Sequence, residues 1–131
     1  MIEFDVKGIP APQGSKNAYR RGNRIVLVES SKKVPAWREA VALEAKKHCA
    51  QQIDGPVFIS MIFRLPRPKS LPKKVIHMVK KPDLDKLIRS TCDALSGVAY
   101  IDDNRVACIT AAKTYAGPDR EPGCEISIEA I

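Results

Sequence analysis

Aromatic residues are scarce in this 131-residue chain: three Phe, three Tyr and one Trp make up 5% of it. That poverty argues against a broad base-stacking platform of the kind that binds single strands. No apolar run approaches the roughly 18 residues of a membrane span. The N-terminal MIEFDVKGIP carries Glu3 and Asp5 where an export signal would be apolar. A cytoplasmic protein with no membrane partner is therefore expected. Cys49, Cys92, Cys108 and Cys124 are widely spaced and form no C-x-x-C pair, which favours reduced thiols over a disulfide scaffold or a zinc knuckle. A P-loop, a dinucleotide-binding glycine pattern and a serine nucleophile elbow are also missing. Separate binding and catalytic domains would need more chain, so residues 1–131 are read as one domain.

What the chain has in excess is positive charge, 22 Lys and Arg against 15 Asp and Glu, for a net +7. Such a balance favours polyanionic partners. The cations fall into two groups. The segment 65–82, LPRPKSLPKKVIHMVKKP, holds Arg67, Lys69, Lys73, Lys74, Lys80 and Lys81 with four prolines and no carboxylate. The turn-rich PAPQGSKNAYRRGN carries Lys16, Arg20 and Arg21, and Arg24 follows it directly. Either group can contact DNA phosphates, and either can be an ordinary solvated loop; neither implies base readout. His77 could titrate as a general base, but a lone histidine there reads more simply as structural or DNA-proximal, and His48 is a weaker candidate still.

Patterning predicts a mixed α/β fold in the order β-β-α-β-α-β-β. Residues 2–7 alternate as a half-buried strand. Arg24 to Val28 reads as the second strand of a hairpin whose tip is the basic PAPQGSKNAYRRGN loop. Ser30 or Ser31 could cap the next helix, though Pro35 places its start near residue 34. Its stripe of Trp37, Val41, Ala45 and Cys49 either packs on the sheet or contributes a subunit interface. Gly55-Pro56 closes that segment, with the helix carried to about Gln52. Val57 to Phe63 reads as a buried strand, 65–82 as a loop with an optional short strand at Val75 to Val79. Leu84, Leu87, Ile88, Thr91, Cys92 and Leu95 mark the clearest helix, with Asp83 to cap it and Gly97 to end it. Val106 to Thr114 and Cys124 to Ile131 complete the strands.

Asp83, Asp85 and Asp103 are the candidate metal ligands, since Mg2+ takes hard oxygen donors and often two carboxylates. Asp83 and Asp85 converge only if the mouth of the helix is extended. On spacing alone the structural account is the stronger one: a cap, a carboxylate favoured by the helix dipole, and an ordinary Asp102-Asp103-Asn104 turn. Arg89 lies one turn beyond Asp85 and one before Asp93. It suits a phosphate contact or an exposed ion-pair ladder in equal measure.

The run KKPDLDKLIRSTCDALSGVAYIDDNRV resembles the diagnostic segment of the RusA family, bacterial and prophage endodeoxyribonucleases that resolve Holliday junctions. The resemblance rests on Pro82-Asp83-Leu84-Asp85, Asp93-Ala94-Leu95 and Asp102-Asp103, supported by Pro12-Gln13-Gly14-Ser15-Lys16 near the N-terminus. It implies a compact α+β domain with a mixed sheet and two main helices. It also implies a homodimer that makes paired, symmetric, Mg2+-dependent cuts in four-way DNA and leaves 5′-phosphate and 3′-hydroxyl ends. By that resemblance the catalytic acids are Asp83, Asp85 and Asp103, and the family's functional lysine corresponds to Arg89. Lys86 stands where the family commonly has asparagine. A junction-binding protein without cleavage and a less selective metal-dependent nuclease are the alternatives.

Overall fold

Phe4 and Val6 point inward and Glu3 and Asp5 outward along strand β1 (Ile2–Lys7) in the computed structural model of the chain. Residues 1–14, 16–22, 24–29 and 33–131 are described, with backbone alone for 16–21 and 24–29. Ser30 and Ser31, the alternative helix caps, lie outside the described residues.

The segment expected as a basic loop contains a strand of its own. β2 (Lys16–Arg21) pairs antiparallel with β3 (Arg24–Glu29) in a separate two-stranded sheet, adding one strand to the expected order. β1 instead pairs with the C-terminal strand.

Helix α1 (Val34–His48) has Pro35 in its first turn and ends at His48, four residues short of the expected stop, because Cys49 is extended. Val34, Trp37, Val41 and Ala45 are all buried in the core. The stripe is therefore occupied by packing within the chain, and it does not form an exposed interface. Trp37 donates its indole N–H to Thr91 Oγ1 at 3.1 Å, which locks α1 against α2 (Leu84–Leu95). Burying that indole contributes about 2–3 kcal/mol.

The main sheet runs in the order β1, β6 (Gly123–Ala130), β4 (Val57–Leu65), β5 (Val106–Tyr115). β4 is antiparallel to β6 and parallel to β5. A parallel pair needs a long crossover, and here the crossover is the basic loop, α2 and a 3-10 turn at Asp103–Arg105. The expected strand at Val75 to Val79 reduces to a single bridge between His77 and Thr114. Ile59, Met61 and Phe63 of β4 and Cys124, Ile126 and Ile128 of β6 face the helices and build the core. The opposite face, with Glu3, Asp5, Ser60, Ile62, Glu125 and Ser127, is not covered by either helix. Gly97, at φ +80°, turns the chain out of α2, and Tyr100 then returns its hydroxyl to the Cys92 carbonyl at 2.8 Å. All four cysteines are free. Among the described residues, no helix is long and apolar enough to cross a membrane.

Candidate active site

The carboxyl ends of the parallel strands β4 and β5 share one end of the sheet, and the chain leaving β4 must come back from there to start α2. Asp83 is the N-cap of that helix by position, with extended backbone (φ −70°, ψ 138°), yet its side chain makes no capping hydrogen bond. The expected cap is thus absent, and the carboxylate is exposed. Its ion-pair partner is Lys86, 3.8 Å from Oδ2, with both side chains about half exposed, an arrangement of little energetic weight. Asp85 is also exposed and has no ion pair among the described residues.

Residues 11–14 dock on the same turn. Gln13 N–H donates to the Lys86 carbonyl at 3.0 Å, and Ser90 Oγ donates to the Ala11 carbonyl at 2.6 Å. Chain connectivity therefore roots the β2–β3 hairpin beside the helix start. The side chains of Lys16, Arg20, Arg21 and Arg24 lie outside the described residues. A hollow of about 310 Å³ is lined by Pro12, Lys81, Pro82, Asp83 and Lys86.

Asp103 sits elsewhere along α2. It opens the 3-10 turn and neighbours Asp93, which is two helical turns, or roughly 12 Å of axial rise, beyond Asp85. Burial pushes the Asp93 carboxyl above its ordinary range; Arg38 opposes this, the Asp103 charge reinforces it, and a hydrogen bond to Asp103 favours the protonated form. Arg89 also lowers it through its charge, but forms no ion pair with Asp85 or Asp93, so of its two readings the ion-pair ladder is absent among the described residues. Its guanidinium is exposed. Asp102 accepts from Ser96 Oγ at 3.3 Å. Among the described residues, no three His, Cys, Asp or Glu side chains gather closely enough to hold a metal ion. The donors at Asp83, Asp85 and Asp103 are nonetheless all carboxylate oxygens, the chemistry that suits Mg2+ over softer metals.

In the basic loop, Arg67 has a job beyond its charge. Its guanidinium donates to the carbonyls of Val75 at 2.9 Å and Pro72 at 2.7 Å, and lies 5.4 Å from the centre of the Tyr115 ring. Lys69, Lys73, Lys74, Lys80 and Lys81 are exposed. Arg67 thus shapes the loop from which these lysines project. Sequence reasoning missed two cations here. Arg38 of α1 acts on Asp93; its signal was adjacency to Trp37, the contact between the helices. Lys113 of β5 donates to the carbonyls of Lys80 and Pro82; its signal was a single charge in VACITAAKTY.

Comparison with known families matches residues 7–129 to the family described as endodeoxyribonuclease RusA. The chain is also similar to the uncharacterized protein YqaN of Bacillus subtilis (strain 168), 28% identical over 141 residues that cover 99% of this chain and 96% of that protein.

Proposed function

The chain belongs to the RusA family of endodeoxyribonucleases, and from that premise we propose that it resolves four-way DNA junctions by Mg2+-dependent phosphodiester hydrolysis. Residues 1–131 act as one domain, and two copies form the active homodimer. The observation that carries this reading is the pair of exposed carboxylates, Asp83 and Asp85, at the start of α2 directly after a loop with six cations and no acid.

In the proposed reaction a water oxygen attacks phosphorus in line, the P–O3′ bond breaks, and the products carry 5′-phosphate and 3′-hydroxyl ends. A proton leaves the attacking water and one is taken up by the departing O3′. Asp83, Asp85 and Asp103 would hold Mg2+, which supplies Lewis acidity and charge neutralisation at the phosphoryl oxygens. Arg89 donates to a non-bridging oxygen as negative charge grows there. Lys69, Lys73, Lys74, Lys80 and Lys81 engage flanking phosphates, as do Lys16, Arg20 and Arg21 of the hairpin. Arg67 contributes charge to the same surface while bracing the loop. Paired cuts need two opposed sites, and a two-fold dimer supplies them from one site per chain.

A second reading, a junction-binding protein without cleavage, is favoured by one observation: among the described residues, no three His, Cys, Asp or Glu side chains gather closely enough to hold a metal ion. The test is purified protein on four-way, flap and linear duplex DNA, with and without Mg2+. Paired cuts confined to the four-way substrate and dependent on Mg2+ support resolution. Binding without cuts supports the second reading, and equal cutting of all three substrates identifies a less selective nuclease. Light scattering of the free protein and its junction complex checks the dimer.

A further inference from the structure

Lys113 is the single charged residue of β5. In register it lies opposite Phe63, on the side of the sheet that carries the core. A half-buried ammonium on that side loses hydration and needs hydrogen-bond acceptors in return. Its acceptors are not acids: Nζ donates to the Lys80 carbonyl at 2.8 Å and the Pro82 carbonyl at 3.0 Å, and Lys113 forms no ion pair among the described residues.

The two carbonyls flank Lys81, and the second belongs to the residue immediately before Asp83. Holding both fixes the peptide that leads into the helix. Asp83 lacks the capping bond that would otherwise anchor its side chain, so the carboxylates depend on ties to their backbone. The Leu87 N–H to Asp83 carbonyl bond of 3.2 Å secures the turn from inside, Gln13 N–H to the Lys86 carbonyl secures it from the N-terminal segment, and Lys113 secures it from the sheet. The neighbouring β5 residues hold the other end of the same loop: Thr114 bridges His77, and Tyr115 lies under Arg67.

We propose that Lys113 is a positioning residue for the cleavage reaction: through the Lys80 and Pro82 carbonyls it sets where Asp83 and Asp85 stand and couples them to the DNA-contacting loop. This rests on the nuclease reading above. Lys113 itself touches neither substrate nor reacting atoms. Its removal acts on rate because a displacement of about 1 Å at the acids costs on the order of 100-fold, whereas phosphate contacts made by the exposed lysines are retained.

The experiment compares wild type, Lys113→Met and Lys113→Arg, a longer donor able to reach both carbonyls. Amide hydrogen exchange is measured on the metal-free protein, and single-turnover cleavage and junction affinity are measured against Mg2+ concentration. In Lys113→Met, amides of residues 80–87 other than Pro82 should exchange at least about tenfold faster, with β4 and β6 unchanged. Cleavage should fall on the order of 100-fold with a higher Mg2+ requirement and unaltered junction affinity, and Lys113→Arg should recover most of both. Native exchange at 80–87 in Lys113→Met overturns the proposal, as does loss of protection throughout the sheet with binding and rate falling together. Should Lys113→Met fail to fold, Lys113→Gln is read by the same criteria. If wild type cuts no DNA, the nuclease reading fails, while exchange still decides whether Lys113 orders this turn.

Discussion

Arg64 of β4 reaches past β6 to Asp5 of β1, with Nη1 2.8 Å from Oδ1 and Nη2 3.0 Å from Oδ2. Arg64 is 5% exposed, and its Nε donates to the Glu121 carbonyl at 3.0 Å. Gly123 lies opposite Arg64 on the intervening strand; a Cβ there would run into the Arg64 guanidinium and the Val6 carbonyl. The pair and the glycine form one device that clamps three strands in order.

Breaking that clamp should be costly. Asp5→Ala leaves a buried guanidinium without its carboxylate, and a loss of about 3 kcal/mol is expected in urea unfolding. Nearby Arg120, 3.1 Å from the same Asp5 oxygen, cannot compensate, being a cation itself. Stability within about 0.5 kcal/mol of wild type would show that the pair is ornamental.

Gly123→Ala is expected to destabilise by about 1–3 kcal/mol through overpacking. Combining it with Arg64→Met, which withdraws the guanidinium but leaves the Val6 carbonyl, should cost less than the sum of the two single changes. Additive losses would separate the glycine from the arginine.

Asp83→Asn, Asp85→Asn and Asp103→Asn should each lower the single-turnover cleavage rate by on the order of 100-fold or more, while junction binding persists because the cationic loop is untouched. Asp102→Asn should act mainly on the turn it shares with Ser96. Near-wild-type cleavage by all three variants would remove these acids from the chemistry.

Neutralising Lys73 and Lys74 together should weaken binding to four-way, flap and duplex DNA alike. The slope of log affinity against log salt on duplex should shrink by about 1.8, two phosphate contacts at 0.9 each. An unchanged slope would return these lysines to solvent.

Thiol reactivity should separate the cysteines. Cys108 is exposed, whereas Cys49, Cys92 and Cys124 are buried. Burial pushes the Cys92 thiol up to about 11 and raises Cys49 and Cys124 as well. A raised thiol stays protonated until pH climbs through the shifted value, so at pH 8 it offers little thiolate. One thiol per chain should react with a disulfide reagent at that pH, and Cys108→Ser should abolish the reaction until denaturant is added.

Much of this architecture was legible in the residues. Leu84, Leu87, Ile88, Thr91, Cys92 and Leu95 announced α2, and the alternation from Ile2 to Lys7 announced β1, because each element packs one face on the core. β2 was not legible: Lys16–Arg21 reads KNAYRR, with no alternating face, and among the described residues it pairs with β3 alone. The end of α1 was overshot because Gly55-Pro56 is a conspicuous stop and the extended backbone at Cys49 leaves no mark in composition. For the candidate site, Asp83, Asp85 and Asp103 stood out through the family resemblance and not through spacing alone, and the influence of Asp103 on Asp93 depends on the turn at Gly97 and the return of Tyr100. That Arg67 also braces the loop was not legible, because composition registers charge and is silent on which carbonyls a guanidinium will hold.

The loop braced by Arg67, Thr114 and Lys113 carries six of the chain's excess positive charges, leaving +1 for everything else. A body so unevenly charged has a large electric moment, and a polyanion exerts a torque on it before any atom touches. Within a Debye length of about 8 Å at physiological salt, that torque favours approaches in which the loop, and with it the start of α2, faces the polyanion. Salt would then slow productive approach by letting the molecule tumble, as well as by loosening the complex once formed.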